Sequence, residues 1–409
     1  MGNYLCISNK KRTFACKKPL YVPSIMRKIL ILPDSFKGSL SQQAVAQAIA
    51  SGARAALGEA CELVMLPASD GGEGMVSVLA EPLGAEMVEL TVCDPLFRPQ
   101  LAHYAIAEIA GRRTAIMEMA EASGLTLLPV WIRHPIATST FGTGELLLDA
   151  LNRGCTDILL GIGGSATNDG GMGMLTALGW RFLDHNGEEL AGVGGNLDKI
   201  AQIDDSAVGE AVKKLHIRVA CDVQTPFCGP DGATRVFAPQ KGADEETVEV
   251  LENGMQHFAD MITKRFHLPD FSTIAGGGAA GGLGGALMAF LGAELLPGAE
   301  VVLDALQMDA HLRGADLVIT GEGKIDRQTL TGKVPYAVLQ HAKRQGVPTL
   351  VIAGAVEDAE KLKKAGFMAI RNINEGNTIP PFEWMQPEVA RKQIQRTIEL
   401  FIKHEGLIP

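Results

Sequence analysis

Apolar residues recur along this chain in short blocks, each followed by a polar, glycine-bearing loop and then by apolar positions three or four apart. Residues 28–32 form the first block, followed by PDSFKGS; Leu40, Ala44, Val45, Ala48, Ile49 and Ala53 then fall on one helical face. Residues 63–66 form the next strand, which ends in PASDGGEG before another helix. The same order returns late in the chain: DLVITGEGKID, a helix over 336–344, TLVIAG, a helix through 361–364, and FMAIRNI. Strand, loop and helix alternating in this way predict a parallel sheet covered on both faces. The middle is less regular, with strands predicted at 113–117, 157–162 and 218–223 and a long helix over 245–266. A length of 409 residues suggests two or three domains. The outer segments share an order that the centre lacks, so a second α/β domain, 91–294, is expected inside a first, formed by 26–90 and 295–409.

Composition adjusts this picture in a few places. Residues 1–25 hold five basic residues and no acidic one, but they lack the apolar run of a signal peptide. Their opening MGNYLC has Cys6 where a myristoylation signal needs Ser or Thr. They read as an extension outside the fold, either an upstream start or a targeting peptide. Residues 271–293 run without a charge, which is long enough to span a membrane. Eight of them are glycine and no Lys or Arg cluster flanks them, so no membrane partner is expected. The net charge of −10, with no basic stripe, excludes nucleic acid as the expected partner. Seven cysteines without a Cys-x-x-Cys pair suit a reducing compartment, and a cytoplasmic location is expected.

Ligands of open parallel sheets sit beyond the carboxyl ends of the strands, so the loops there carry the candidate chemistry. The first offers Asp34, Ser35, Lys37 and Gly38, and the second Ser69, Asp70, Gly71, Gly72, Glu73 and Gly74. The block DILLGI is followed by GGSATNDGGMG, residues 163–173, whose glycines would let successive backbone N–H groups face an anion. The late block gives Glu322, Lys324, Asp326 and Lys333, cations and carboxylates of the types phosphoryl transfer needs. Plainer alternatives stand beside these: Asp34 and the Asp70–Glu73 pair as helix caps, and 322–333 as a solvated charged loop. Cys221 reads as a small core residue. A rival functional reading uses Gly161, Gly163 and Ala166 with Asp184 as a dinucleotide fingerprint, which would make a nicotinamide-dependent oxidoreductase of small hydroxy acids. Against it, Thr-Asn-Asp-Gly-Gly stands where the helix should already run.

The blocks LPDSFKGS, ASDGGEG, GTGELLLDAL, GIGGSATNDGGMGMLTALG, CDV, APQKGA, AGGGAAGGLGGAL and ITGEGKIDRQTLTGKVP stand in the order of the type-1 glycerate kinases, a family the chain resembles from Met26 to about Ile373. The resemblance implies a flavodoxin-like α/β domain with a second α/β domain inserted. It implies an ATP- and Mg²⁺-dependent kinase that makes phosphoglycerate from D-glycerate, with the 2-hydroxyl favoured, in glyoxylate and organic-acid metabolism. A homo-oligomer is compatible with it. The chain departs from the family after CDV, where Gln224, Thr225, Pro226 and Phe227 replace Asn-Pro-Leu, and in NEGNTIPPFEWMQPEVARK. Physical argument then assigns expected roles. ATP phosphates would lie on Gly163, Gly164, Ser165, Ala166, Thr167, Asn168, Gly170 and Gly171, with Mg²⁺ on Asp169 and Asp326. Lys324 and Lys333 would steady the transferring phosphoryl group, with Asp70 as base and Asp326 beside them. Asp34, Ser35, Lys37, Gly71, Gly72 and Glu73 would hold glycerate.

Overall fold

The computed structural model describes residues 28–71 and 74–404. Residues 1–25 and the pair Gly72 and Glu73 therefore lie outside the described residues. In chain order the strands are β1 (Lys28–Pro33), β2 (Glu62–Met65), β3 (Glu86–Cys93), β4 (Pro99–Ile109), β5 (Arg112–Glu118) and β6 (Asp157–Gly161). After these come β7 (Arg181–Leu183), β8 (Gln202–Asp204), β9 (His216–Ala220), β10 (Glu294–Leu296), β11 (Leu317–Ile325), β12 (Thr349–Val356) and β13 (Ala369–Asn372).

Five of them form an all-parallel sheet in the order β13-β12-β11-β1-β2. The reason is visible in β1, whose KILILP buries both faces. Ile29 and Ile31 pack with the helices Gln42–Leu57 and Pro387–His404, while Leu30 and Leu32 pack on Leu66, Val318, Val334 and Val338. A strand apolar on both faces needs helices on both sides, as α/β sheets provide. Ser41 caps the first helix by accepting from the Ala44 N–H at 3.3 Å, so Asp34 is left free of that duty.

A second sheet has the order β10-β9-β6-β5-β4-β3. β10, β9, β6 and β5 run parallel, and β4 and β3 extend the sheet antiparallel. The mixed α/β architecture expected from the pattern is what forms. Two local expectations change. The strand expected over 218–223 stops at Ala220, and the stretch before Asp184, which the dinucleotide reading needs as a strand of the parallel sheet, forms β7 and pairs with β8, antiparallel, in a separate ribbon. Residues 271–293 are no continuous helix: Ala280, Gly281 and Gly282 have φ of 54°, 68° and 96°, and the α-helix runs only over Leu283–Leu291. Among the described residues no helix is long and apolar enough to cross a membrane.

The helix Gly298–Ala305 touches both sheets. Ala299 and Leu303 join the cluster around Leu30 and Leu32, while Val301, Val302 and Ala305 join the one around Ala105, Ile116 and Leu159. The carboxyl ends of both sheets meet beside its first residue, and the candidate site lies there.

Candidate active site

A cleft of about 540 Å³ opens at the carboxyl ends of the five-stranded sheet. Its chemistry changes across the sheet. Toward β2 stand Asp34, Lys37, Asp70, Glu322, Lys324 and Lys333; toward β13 stand Ile373, Asn374, Pro381, Trp384 and Met385. β11 outruns β1, because the Asp34 N–H donates to Gly321 at 2.7 Å and the strand continues to Ile325. That overhang puts Glu322 and Lys324 opposite the loop after β1.

The charged end is compact. Glu322 Oε1 accepts from Thr329 Oγ1 at 2.6 Å, and Oε2 lies 3.4 Å from Lys333 Nζ. Lys324 Nζ lies 3.0 Å from Glu357 and 3.8 Å from Asp326, and that pairing raises its pKa. Burial pushes the Asp34 carboxyl above the usual carboxylate range, although the Ser35 N–H it accepts at 2.6 Å works against this; the Asp70 charge adds to the rise. Burial does the same to Glu322, with Asp34 contributing. Three carboxylates that repel one another and are held among lysines form a site organised for a cation and for anionic phosphates.

A smaller cavity of about 370 Å³ lies at the carboxyl ends of β6 and β9, lined by Gly71, Gly163, Gly164, Ser165, Asp222 and Lys241 among others. Lys241 is buried and donates to Ser165 Oγ and to the Thr167 carbonyl, each at 2.7 Å. Burial pulls its pKa down to about 7, against the Asp169 charge. Asp222 Oδ1 accepts from the Gly298 N–H at 3.0 Å, and burial, with Asp70 nearby, raises its pKa. Asp70 lines the cleft and Gly71 the cavity, so this dipeptide stands between the two openings. Gly71 has φ +73°, and a Cβ there would come within 2.4 Å of Gly298 Cα.

The expected residues divide accordingly. Asp34, Ser35, Lys37, Asp70, Lys324 and Lys333 come together in the cleft. Of the 163–173 run, only Gly163, Gly164 and Ser165 reach an opening. Ala166, Thr167, Asn168 and Asp169 are buried, and Cβ atoms at Gly170 and Gly171 would meet the Phe258 ring at 2.9 Å and Ala286 at 2.4 Å. Asp169 Oδ2 accepts from the Thr140 N–H and Oγ1, both at 2.7 Å, and from the Gly173 N–H at 3.1 Å, while Oδ1 accepts from the Gly171 N–H at 3.1 Å. Asp326 caps the turn Arg327–Thr331 by accepting from the Gln328 N–H at 2.7 Å. Neither Asp169 nor Asp326 lines the cleft or the cavity. Glu322, a carboxylate between two glycines that the sequence offered beside Asp326, lines the cleft instead. Nothing in the sequence marked Lys241 as buried. Cys221 is buried, though it also edges the cavity.

The dinucleotide reading loses its context. Its second strand must lie in the same parallel sheet, but Asp184 follows β7 of the separate ribbon and accepts from the N–H groups of Asn186 and Glu188.

An α/β enzyme with lysines and carboxylates gathered at its strand ends is the class this geometry defines. Residues 29–403 match the glycerate kinase family. The chain is 48% identical over 332 residues to the glycerate 2-kinase of Escherichia coli, covering 81% of this chain and 86% of that one. It is 45% identical to the glycerate kinase of Bacillus subtilis, covering 85% and 91%. A crystal structure of a Salmonella typhimurium LT2 protein described as a glycerate kinase superposes with a TM-score of 0.77 at 42% identity, covering 91% of this chain and 96% of that one. This chain belongs to the glycerate kinase family, and it is a kinase.

Proposed function

We propose that this kinase transfers the γ-phosphoryl group of ATP to the 2-hydroxyl of D-glycerate, giving 2-phosphoglycerate and ADP in organic-acid metabolism. The observation that carries the reading is the cleft in which Asp34, Asp70 and Glu322 face Lys37, Lys324 and Lys333. The name of the Escherichia coli relative supports the 2-position.

On this reading the phosphate chain runs along Lys324, Lys333 and Lys37, whose charges offset the negative charge that builds up in phosphoryl transfer. Glycerate lies beyond Asp70, in the smaller cavity, with its carboxylate toward Lys241 and the N–H groups of the Gly163–Ser165 turn. That turn therefore serves glycerate rather than nucleotide. Asp70, at the boundary, takes the proton of the attacking hydroxyl, the hydroxyl oxygen bonds to the γ-phosphorus, and ADP leaves. The donor set fits Mg²⁺, because Asp34 and Glu322 are oxygen ligands whose burial leaves them in want of a cation. Mg²⁺ held there would neutralise phosphate charge. The reading treats 26–90 with 295–409, and 91–294, as two lobes that close on the substrates. A cytoplasmic location is part of it, supported by free thiols at all five described cysteines.

The test is an ADP-release assay with D-glycerate, ATP and Mg²⁺, with the product read by phosphorus NMR. Turnover with one proton coupled to the product phosphorus supports 2-phosphoglycerate; coupling to two protons would overturn the regiochemistry. Silence with D-glycerate, L-glycerate and other small hydroxy acids would overturn the substrate.

A further inference from the structure

We infer that the apolar end of the cleft binds the purine ring of the nucleotide, with Trp384 as its stacking face and Asn374 as acceptor for a 6-amino group. The inference rests on the kinase reading above and adds where the base lies and which base is preferred.

Three observations carry it. The first is topological. From β1 to β13 is three strand steps, about 14 Å at the usual spacing, and the cleft lining turns from charged to apolar over that distance. A nucleoside triphosphate has the same polarity: an anionic chain at one end and a flat, largely apolar ring at the other.

The second is an orphaned polar atom. Asn374 lines the cleft and is more than nine-tenths buried. Its Nδ2 donates to the Gly354 carbonyl at 2.8 Å, which fixes which end of the amide is oxygen. Its Oδ1 accepts from nothing among the described residues. A buried acceptor left without a donor costs free energy, and a ligand N–H relieves that cost. Adenine presents an amino group at its 6-position where guanine presents an acceptor oxygen, so an acceptor here selects adenine.

The third is the shape of the lining. Trp384 donates its indole N–H to the Ile379 carbonyl at 2.8 Å, which fixes the ring while leaving it on the cleft. Gly354 and Ala355 of β12 face the cleft without long side chains, so a flat ring can lie between them and the Pro381–Met385 segment. Phe382 and Met385 of that segment are exposed. Aromatic stacking on a base is favourable for any base, and the orphaned oxygen supplies the selectivity.

The experiment is calorimetric titration of the full chain with ADP and with GDP, beside Michaelis constants for ATP and D-glycerate. The variants are Trp384→Ala and Asn374→Leu. The wild-type chain is expected to bind ADP about tenfold tighter than GDP, because a polar site discriminates by the partner it leaves unpaired. Trp384→Ala should weaken ADP about tenfold or more, and Asn374→Leu should bring ADP and GDP close to equal; neither should move the D-glycerate constant appreciably. Unchanged ADP binding in both variants, or a raised D-glycerate constant with ADP unaffected, would overturn the inference while leaving the kinase reading intact. A wild-type chain that binds neither nucleotide and shows no turnover would overturn both.

Discussion

Asp70 and Lys241 show how single side chains here are set by their surroundings. Asp70 stands at the boundary between the cleft and the cavity, where a hydroxyl held in the cavity would meet the end of the phosphate chain. Asp70→Asn keeps shape and removes the proton acceptor of the proposed reaction. Steady-state turnover should fall by about 10²–10⁴ with little change in ADP affinity. Lys333→Ala should slow turnover far more than Lys199→Ala, since Lys199 only reaches Asn196 on the surface, at 2.9 Å; equal effects would remove the phosphoryl role from Lys333. Lys241 makes a different prediction because its burial disfavours the charged form. Its folded pKa of about 7 lies below the ordinary 10.5. Between those values the unfolded chain binds the extra proton, so the wild-type fold gains stability as pH rises. The melting temperature of wild type relative to Lys241→Met should therefore climb from pH 7 toward pH 10. A difference that stays flat would mean the lysine is not held in the buried state described here.

At the scale of elements, three helices meet at a buried histidine. His341 on the helix Val334–Arg344 has Nδ1 2.8 Å from Asp309 and Nε2 3.0 Å from Glu300, with Asp304 3.9 Å away. Burial works against its charge, yet the hydrogen bonds to Glu300 and Asp309 outweigh it and hold the pKa above the ordinary histidine range. A raised folded pKa means stability that is full below about pH 6.5 and lost as pH rises through the folded value. His341→Gln should cost stability in mild acid and progressively less above neutrality, read as the difference between the two melting curves. This clamp was not legible in the sequence, because histidine and its partners come from three separated segments. The longest helix of the inserted segment was. Apolar positions three and four apart gave 245–266 the bounds the structure has, Glu245–Phe266, since one long amphipathic face needs no tertiary information. The strand expected over 218–223 ran too far because Asp222 is turned to the Gly298 N–H instead of continuing the ladder. The β3–β4 hairpin went unread although β3 alternates, since its neighbours set it apart from the parallel order elsewhere.

For the whole molecule, the loops after the strands were legible as the candidate site because parallel sheets put ligands there whatever their details. Which half of 163–173 faces outward was not, because that depends on Phe258 and Ala286, far along the chain, closing over Gly170 and Gly171. The same dependence on distant segments governs the junction between the two sheets. Gly298 opens the helix that touches both, donates to Asp222, and lies against Asp70 and Gly71: a Cβ there would stand 1.8 Å from the Asp70 carbonyl oxygen. Two effects of Gly298→Ala oppose each other. Alanine at a helical position is favoured over glycine by about 1 kcal/mol at most, while the contact forces Asp70 and Gly71 away from the helix. Backbone on both sides of the contact cannot yield as a side-chain tip would, so displacement wins. On the function proposed above, turnover should drop sharply as Asp70 leaves its position, whereas ADP affinity, assigned there to the far end of the cleft, should hold. Gly209→Ala is the control, because nothing lies within 4 Å of its Cβ position and its φ is negative. Equal turnover in the two variants would show that the junction does not position Asp70. A Gly298→Ala chain that loses ADP binding along with turnover would show instead that the contact supports the entire cleft.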